Sequence, residues 1–501
     1  MIGVYITMKN NDYNFIKDKF DKSEYEVPLS LDTSVIKEEI ILLNDSKKIK
    51  HVKSSWVLKL LSSAAACLIL VLSIFCLSNS FISGQIKPFN NYDDLSTKIS
   101  TLETVTKADE MGCENFSTII YRREDGVEVP NIVKAYNGYI YYGYYNSNDN
   151  NNRNKIYIFR AENKNTKLAS IIDGFNLDEY EIQDLFAIQN RLIVNLSSGT
   201  SVVTKIYDIS DSSKPSFITE FEQSGKYSAS NIIDETLYIV TEYSAENNIP
   251  YIKQNNKKIF TSIKNIVCFE NAQTAQYAVI NTINIKTGNQ ASDLKAVLGG
   301  SAKIHCTKKY MYINEYINGE NVGVPERKVT TAMKLNLYNG KISYATEKEV
   351  KKYSNYIIDI GKGEMYSSVL YPVGENFLSI GEDVNKAENE IILFDNNMNL
   401  LDSITFNDTF IITNSGFLAE NNEKNIYAVP AYFADETMRH YGVVTFEIKD
   451  SKIVIKNKFI NNDSDLMYQG MCIFIDDYIY SFNINDNAPD NSKVKIFAYE
   501  C

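Results

Sequence analysis

The chain has 501 residues, a formal net charge of −12 and a pI near 5.1. With 44% hydrophobic and 23% charged residues it can bury a large core, which excludes wholesale disorder. The acidic balance argues against a nucleic-acid partner or an anionic membrane surface, because both need clustered Lys and Arg.

Between Lys59 and Lys87 lie 27 residues without a charge. Within them, Leu60 to Ile82 is long enough at ~1.5 Å per residue to cross a hydrocarbon core of roughly 30 Å. Lys47, Lys48, Lys50, Lys53 and Lys59 precede it, with Trp56 at the interface. That excess of lysine places the N-terminal side in the cytoplasm. A cleaved signal peptide fits less well, since 59 residues stand before the apolar run. A buried helix of a soluble fold is disfavoured because neither face of the run is polar. The expected organisation is a cytoplasmic segment (1–59), a transmembrane helix (60–82), a linker (83–116) and an extracellular domain (117–501). Residues 1–59 carry 10 Lys against 9 Asp and Glu, so the remaining 41 basic and 54 acidic residues leave that part at −13.

From about residue 117 onward, paired aromatic and β-branched runs recur. The first members are 139–141, 192–194, 237–239, 311–313, 377–379, 426–428 and 478–480. The second members are 155–159, 205–209, 278–285, 332–337, 391–394, 443–448 and 493–498. Such runs predict strands, and helical periodicity is nearly absent. Seven pairs spaced roughly 45 to 75 residues apart predict an all-β β-propeller of four-stranded blades, with seven blades favoured. A β-sandwich array is the alternative, disfavoured by the lack of a Cys…Trp…Cys core. The last unit ends after its third strand, and Thr118–Tyr121 is expected to supply the missing outer strand and close the ring. The longest connections join second to third strands, including 146–154, 244–277 and 317–330, and gather on one face as the expected interaction surface.

Chemistry-bearing motifs are sparse. His305 falls at a first-strand position near the predicted channel, and a packed or channel-lining histidine is the expected reading. In regular strand His305 and Cys306 point to opposite faces, so they form no nucleophile–base pair. His440 sits in a predicted loop. No HExxH, GxSxG or paired-His spacing occurs, so no catalytic or metal residues are assigned. Gly361-Lys362-Gly363 reads as a turn. Asp149, Asp486, Asp490 and the run 462–465 could offer oxygens to structural calcium, but none matches a defined loop, and no cofactor is assigned. Cys113, Cys268, Cys306, Cys472 and Cys501 lie beyond the apolar run, and Cys472 with Cys501 form the most plausible disulfide.

The lone Trp excludes WD40 and Asp-box signatures. Lys205–Pro215, Glu220–Gly225 and Leu237–Thr241 instead resemble the bacterial secreted proteins with a C-terminal β-propeller domain, distantly related to WD40 propellers. Ile132-Val133-Lys134 before Gly138–Tyr141, Ala296–Ser301, and Tyr371–Asn376 leading to Ile380-Gly381 extend the resemblance over roughly 116–501. Where that family has an acidic stretch before Ile-Val-Lys, this chain has Val129-Pro130-Asn131. The resemblance implies a propeller and an extracellular compartment, and no catalytic residues. The expected function is recognition of a protein, peptide or glycan of a Gram-positive-type envelope. The alternatives are a channel-sited hydrolase or lyase acting on envelope polymers, and a structural or sensor scaffold.

Overall fold

The computed structural model describes residues 86–103, 126–145, 154–175, 180–246, 249–255, 257–288, 293–315, 331–349, 365–383, 388–397, 399–406, 409–411, 418–434, 439–461, 467–485 and 488–501. The apolar run 60–82 and the closing strand 118–121 lie outside these residues. Among the described residues no helix is long and apolar enough to cross a membrane.

The segment expected to be a linker is in part folded. It carries helix α1 (Tyr92–Ile99), whose N-cap Asn91 Oδ1 accepts from the Asp94 amide at 2.8 Å. Leu95 of α1 is buried in the main body, and Glu103 bridges Thr274 in parallel.

The strands follow in chain order: β1 (Val127–Glu128), β2 (Val133–Tyr136), β3 (Tyr139–Tyr145), β4 (Asn154–Glu162), β5 (Asn165–Ile172), β6 (Glu181–Ile188), β7 (Arg191–Ser197), β8 (Ser201–Asp208), β9 (Ser216–Ser224), β10 (Lys226–Ile233) and β11 (Thr236–Ser244). Next come β12 (Tyr251–Gln254), β13 (Lys257–Phe260), β14 (Ile266–Cys268), β15 (Gln276–Asn284), β16 (Asp293–Leu298), β17 (Gly300–Cys306), β18 (Tyr310–Glu315), β19 (Thr331–Tyr338) and β20 (Lys341–Glu349). The remainder are β21 (Met365–Val373), β22 (Asn376–Asp383), β23 (Glu388–Phe394), β24 (Leu400–Phe406), β25 (Thr409–Ile411), β26 (Ala419–Asn421), β27 (Ile426–Ala434), β28 (Arg439–Lys449), β29 (Lys452–Asn461), β30 (Met467–Ile475), β31 (Tyr478–Ile484) and β32 (Val494–Glu500), with a short helix α2 (Asp490–Lys493) before the last.

These strands form seven antiparallel sheets in chain order: β2–β5, β6–β9, β10–β11–β15–β16, β17–β20, β21–β24, β25–β29 and β30–β32. Middle strands are buried on both faces. In β3 the run Ile140–Tyr144 is buried throughout, because a sheet covered on each side needs apolar groups at odd and even positions alike. Outer strands alternate with solvent, as β29 does. Tight turns carry the residues that tolerate positive φ, such as Asn137-Gly138, Asn339-Gly340 and Asp450-Ser451.

Neighbouring sheets share cores, with none described between the fourth and fifth. Tyr141 and Ile158 of the first sheet pack with Leu185 and Val194 of the second. Phe186 and Phe221 of the second pack with Leu237 and Ile283 of the third, and Val240 and Ile280 of the third with Met311 and Leu335 of the fourth. The fifth and sixth join through Leu378, Phe433 and Phe446. The seventh sheet then meets the first. Tyr142 stacks on Phe482 at 5.2 Å, and Tyr480 Oη donates to the Asn163 carbonyl at 3.0 Å. First strands of several adjacent sheets touch (β2 with β6 and β30, β10 with β17).

One connection is elaborated. Between β11 and β15 the chain forms the hairpin β12–β13, which adds β12 to β9 of the preceding sheet. It then makes a 3-10 turn (Ile263–Asn265) and β14, which runs parallel to β16 at the outer edge of its own sheet. The hairpin and β14 thus attach the connection to two sheets.

Candidate binding site

The polar centre of the described molecule lies where the second and third sheets meet. A β-bulge between Ile182 and Asp184 of β6 turns the Asp184 side chain into this seam. There Asp184 accepts from Asn195 Nδ2 at 2.7 Å and from the Tyr227 hydroxyl. Asn195 Nδ2 also reaches Ser230 Oγ at 3.1 Å, and Thr204 Oγ1 donates to Asn195 Oδ1 at 2.8 Å. Burial pushes the Asp184 carboxyl up to about 6, against the pull of the hydrogen bonds from Tyr227 and Asn195 and the nearby charge of Lys134.

Lys134 reaches across the inner edge from β2. Its Nζ donates to Glu128 Oε1 at 2.6 Å and to the Val129 carbonyl at 2.5 Å, 5.8 Å from the centre of the Phe186 ring. β1 pairs with β10 of the third sheet, and Asn131 bridges Leu185 of the second. The segment ahead of β2 therefore crosses the inner strands of both sheets. The acid that meets Lys134 is Glu128, just upstream of Val129-Pro130-Asn131.

Further out, the seam stays polar. Gln223 Nε2 donates to Thr241 Oγ1 at 3.0 Å and to the Val279 carbonyl at 3.1 Å, and Thr241 Oγ1 donates to the Ser224 carbonyl at 2.7 Å. Both amide atoms of Asn281 and Oε1 of Gln223 are buried there without a protein partner. Gly225 completes the Gln223-Ser224-Gly225 element. At φ +102 a Cβ would stand 2.5 Å from the Glu242 carbonyl oxygen, so only glycine allows the chain to pass from sheet to sheet here.

At the rim this seam ends under the hairpin, where the Tyr251 amide donates to Ser224 Oγ at 3.0 Å. Tyr243, Tyr251 and Phe260 form an edge-to-face row, and Lys258 Nζ sits 3.4 Å from the Tyr251 ring centre. Glu222 accepts from Tyr251 Oη and pairs with Lys253 at 3.2 Å, fixing the hairpin on β9. Burial first, then the Glu222 charge, pushes the Tyr251 phenol up to about 12. Phe260 remains 57% exposed, a large apolar side chain offered to solvent. Sequence reasoning placed the 244–277 connection on the interaction side but missed the hairpin inside it. Tyr251-Ile252-Lys253 followed by Asn255-Asn256 was the available signal.

His305 lies on β17, the first strand of the fourth sheet, opposite Tyr312, and its ring stacks on that tyrosine at 6.1 Å. Cys306 next to it is buried, and desolvation pushes its thiol up to about 12. His440 is not in a loop. It pairs with Phe433 in the β27–β28 ladder.

Cys472 and Cys501, the expected disulfide pair, are both free thiols here. Cys472 pairs with Ser481, whereas the Cys501 amide bonds the Asp477 carbonyl, four residues away along β31 and its turn. That offset is about 13 Å along the strand, beyond the ~7 Å Cα separation that a disulfide spans. Among the described residues no group of His, Cys, Asp and Glu could hold a metal ion. Asp149, Asp486, the run 462–465 and Gly361–Gly363 lie outside the described residues, and Asp490 opens α2.

No curated protein matches the sequence. Among solved structures, the β-propeller domain of the Trilobed protease from Pyrococcus furiosus overlaps at TM-score 0.35 and 9% identity, covering 75% of this chain and 96% of that one. Acylaminoacyl peptidase from Pyrococcus horikoshii gives TM-score 0.35 and 9% identity, with 77% and 51% covered. Sqt1 from Chaetomium thermophilum gives 0.31 and 10%, with 77% and 99% covered. Overlaps this loose bear on neither activity nor partners. The family model described as Beta propeller domain matches residues 122–409, more than half of the sequence and all of the seam and hairpin just described, so the chain belongs to the β-propeller domain family.

Proposed function

We propose that this protein is a seven-bladed propeller, each sheet one blade, held outside a Gram-positive-type cell by the apolar run 60–82. In this reading it recognises a protein, peptide or glycan of the envelope. The observation that carries the reading is the β11–β15 connection. It is tied to two sheets and presents an aromatic and lysine-bearing hairpin, with Phe260 open to solvent, on a rigid rim. Loops anchored on a stiff scaffold and exposing large aromatic groups are where propellers and other rigid folds place their contacts. The lysine-rich approach to the apolar run supports the cytoplasmic position of residues 1–59.

Two measurements test this. Protease applied to intact cells should remove an epitope placed after residue 501 and spare one placed before residue 1. Purified full-length chain should bind isolated envelopes saturably, and replacing residues 251–260 by a short Gly-Ser linker should abolish that binding. Unchanged binding would move the contact elsewhere on the propeller.

A second reading, an axial hydrolase or lyase, draws on Asp184. A carboxyl titrating near 6 beside the Tyr227 phenol could exchange a proton at neutral pH. Turnover of an envelope polymer that D184N abolishes would establish it.

A further inference from the structure

We infer that the free edge of β13 takes an acidic, extended polypeptide segment as an added antiparallel strand. This rests on the recognition reading above and names the partner of that site.

Among the described residues the hairpin leaves an open edge. β13 is the terminal strand of its six-stranded sheet, and the pairs Tyr251–Phe260 to Gln254–Lys257 fix its register on β12. The Thr261 amide bonds the Pro250 carbonyl at 2.8 Å, so the alternation of an antiparallel ladder makes Pro250–Thr261, Ile252–Ile259 and Gln254–Lys257 the hydrogen-bonded pairs. The amide and carbonyl of Lys258 and of Phe260 therefore point outward, a ready template for a further strand.

Charge selects what can pair there. Residues 247–269 contain four Lys and no Asp, Glu or Arg, inside a domain whose overall balance is acidic. Lys257 and Lys258 are both exposed and, as sequence neighbours in a strand, project to opposite faces. An incoming strand meets one lysine on each face. Self-pairing of two β13 edges would gather four lysines on one short ladder, whereas an acidic strand neutralises the two that are there. Phe260, beside Tyr251, offers an apolar contact at the next position on the Lys258 face. An anion without a peptide backbone would use the lysines and leave the Lys258 and Phe260 backbone groups unused.

The test uses the full-length chain and a fluorescein-labelled hexapeptide Val-Val-Glu-Glu-Val-Val, whose neighbouring glutamates project to opposite faces. Saturable anisotropy is expected. It should weaken at least about tenfold when alternate peptide nitrogens are methylated, which keeps every charge and removes strand donors. K257E/K258E should weaken it by a similar factor. F260P, which removes an outward donor without touching a lysine or an internal hairpin bond, should do the same at unchanged Tm, while F260L should bind within about threefold of wild type. No binding overturns the inference. Equal binding of the methylated peptide, retention in F260P, or full competition by polyphosphate also overturns it, by making the edge a charge-only site. If the peptide fails while envelope binding still requires residues 251–260, strand addition falls and the recognition reading stands.

Discussion

Two seams between sheets both bury apolar side chains, and they differ in what is added to that core. Where the seventh sheet meets the first, the contact is aromatic and apolar: Tyr142 on Phe482, with Ile479, Phe159 and Val494 around them. Where the second meets the third, a polar line runs from Asp184 through Asn195 and Thr204 towards Gln223 and Thr241. Apolar burial is non-directional and tolerates small shifts, which suits sheets lying at opposite ends of the sequence. Directional hydrogen bonds fix one register, which suits the seam that must carry the β12–β13 hairpin in a defined place.

Disrupting the apolar seam should cost most. F482A removes a fully buried ring from this seam, and a loss of about 4 kcal/mol in urea unfolding is expected. A loss under 1 kcal/mol would mean that the seam does not hold the seventh sheet to the first.

The polar seam should instead show itself through pH. Asp184 has a folded-state value raised from 3.8 to about 6, so the folded protein binds its proton more tightly than the unfolded chain. Stability from this group is therefore fullest below pH 4 and declines as pH rises to about 6, by at most about 3 kcal/mol. D184N should flatten that part of the Tm–pH curve. An unchanged slope would assign the dependence to other groups.

G225A sharpens the comparison at the sheet-to-sheet passage. The positive φ and the Glu242 carbonyl at 2.5 Å should together cost roughly 2–3 kcal/mol, read by thermal unfolding. At the small end, K286A breaks an exposed pair with Glu235 and should change stability by less than about 0.5 kcal/mol. A larger loss would show that the turn ends of the third sheet contribute more than their exposure suggests.

Much of the second sheet was legible from residues. Its expected runs 192–194 and 205–209 fall on β7 and, but for Ile209, on β8, and the Asp211–Pro215 turn forms with Asp211 Oδ1 accepting from the Ser213 amide at 3.0 Å. Asp184 was not legible. It sits in Glu181–Ile188, an ordinary strand sequence, and reaches the seam because one extra residue at the bulge shifts the alternation. The same limit hid β12 and β14, whose partners β9 and β16 are remote or follow later in the chain. Cys472 and Cys501 looked pairable because they share a sheet, and only strand register separates them.

By itself the sequence determined the all-β character, the positions of most strands and the tight turns. Those depend on side-chain alternation and on residues that tolerate positive φ, both local properties of the chain. The tertiary structure decided which sheet the hairpin joins, which carboxyl is buried in a polar seam and which backbone edge stays open. Each of these is a pairing between segments distant in sequence, and such pairing is set by register and packing rather than by local pattern.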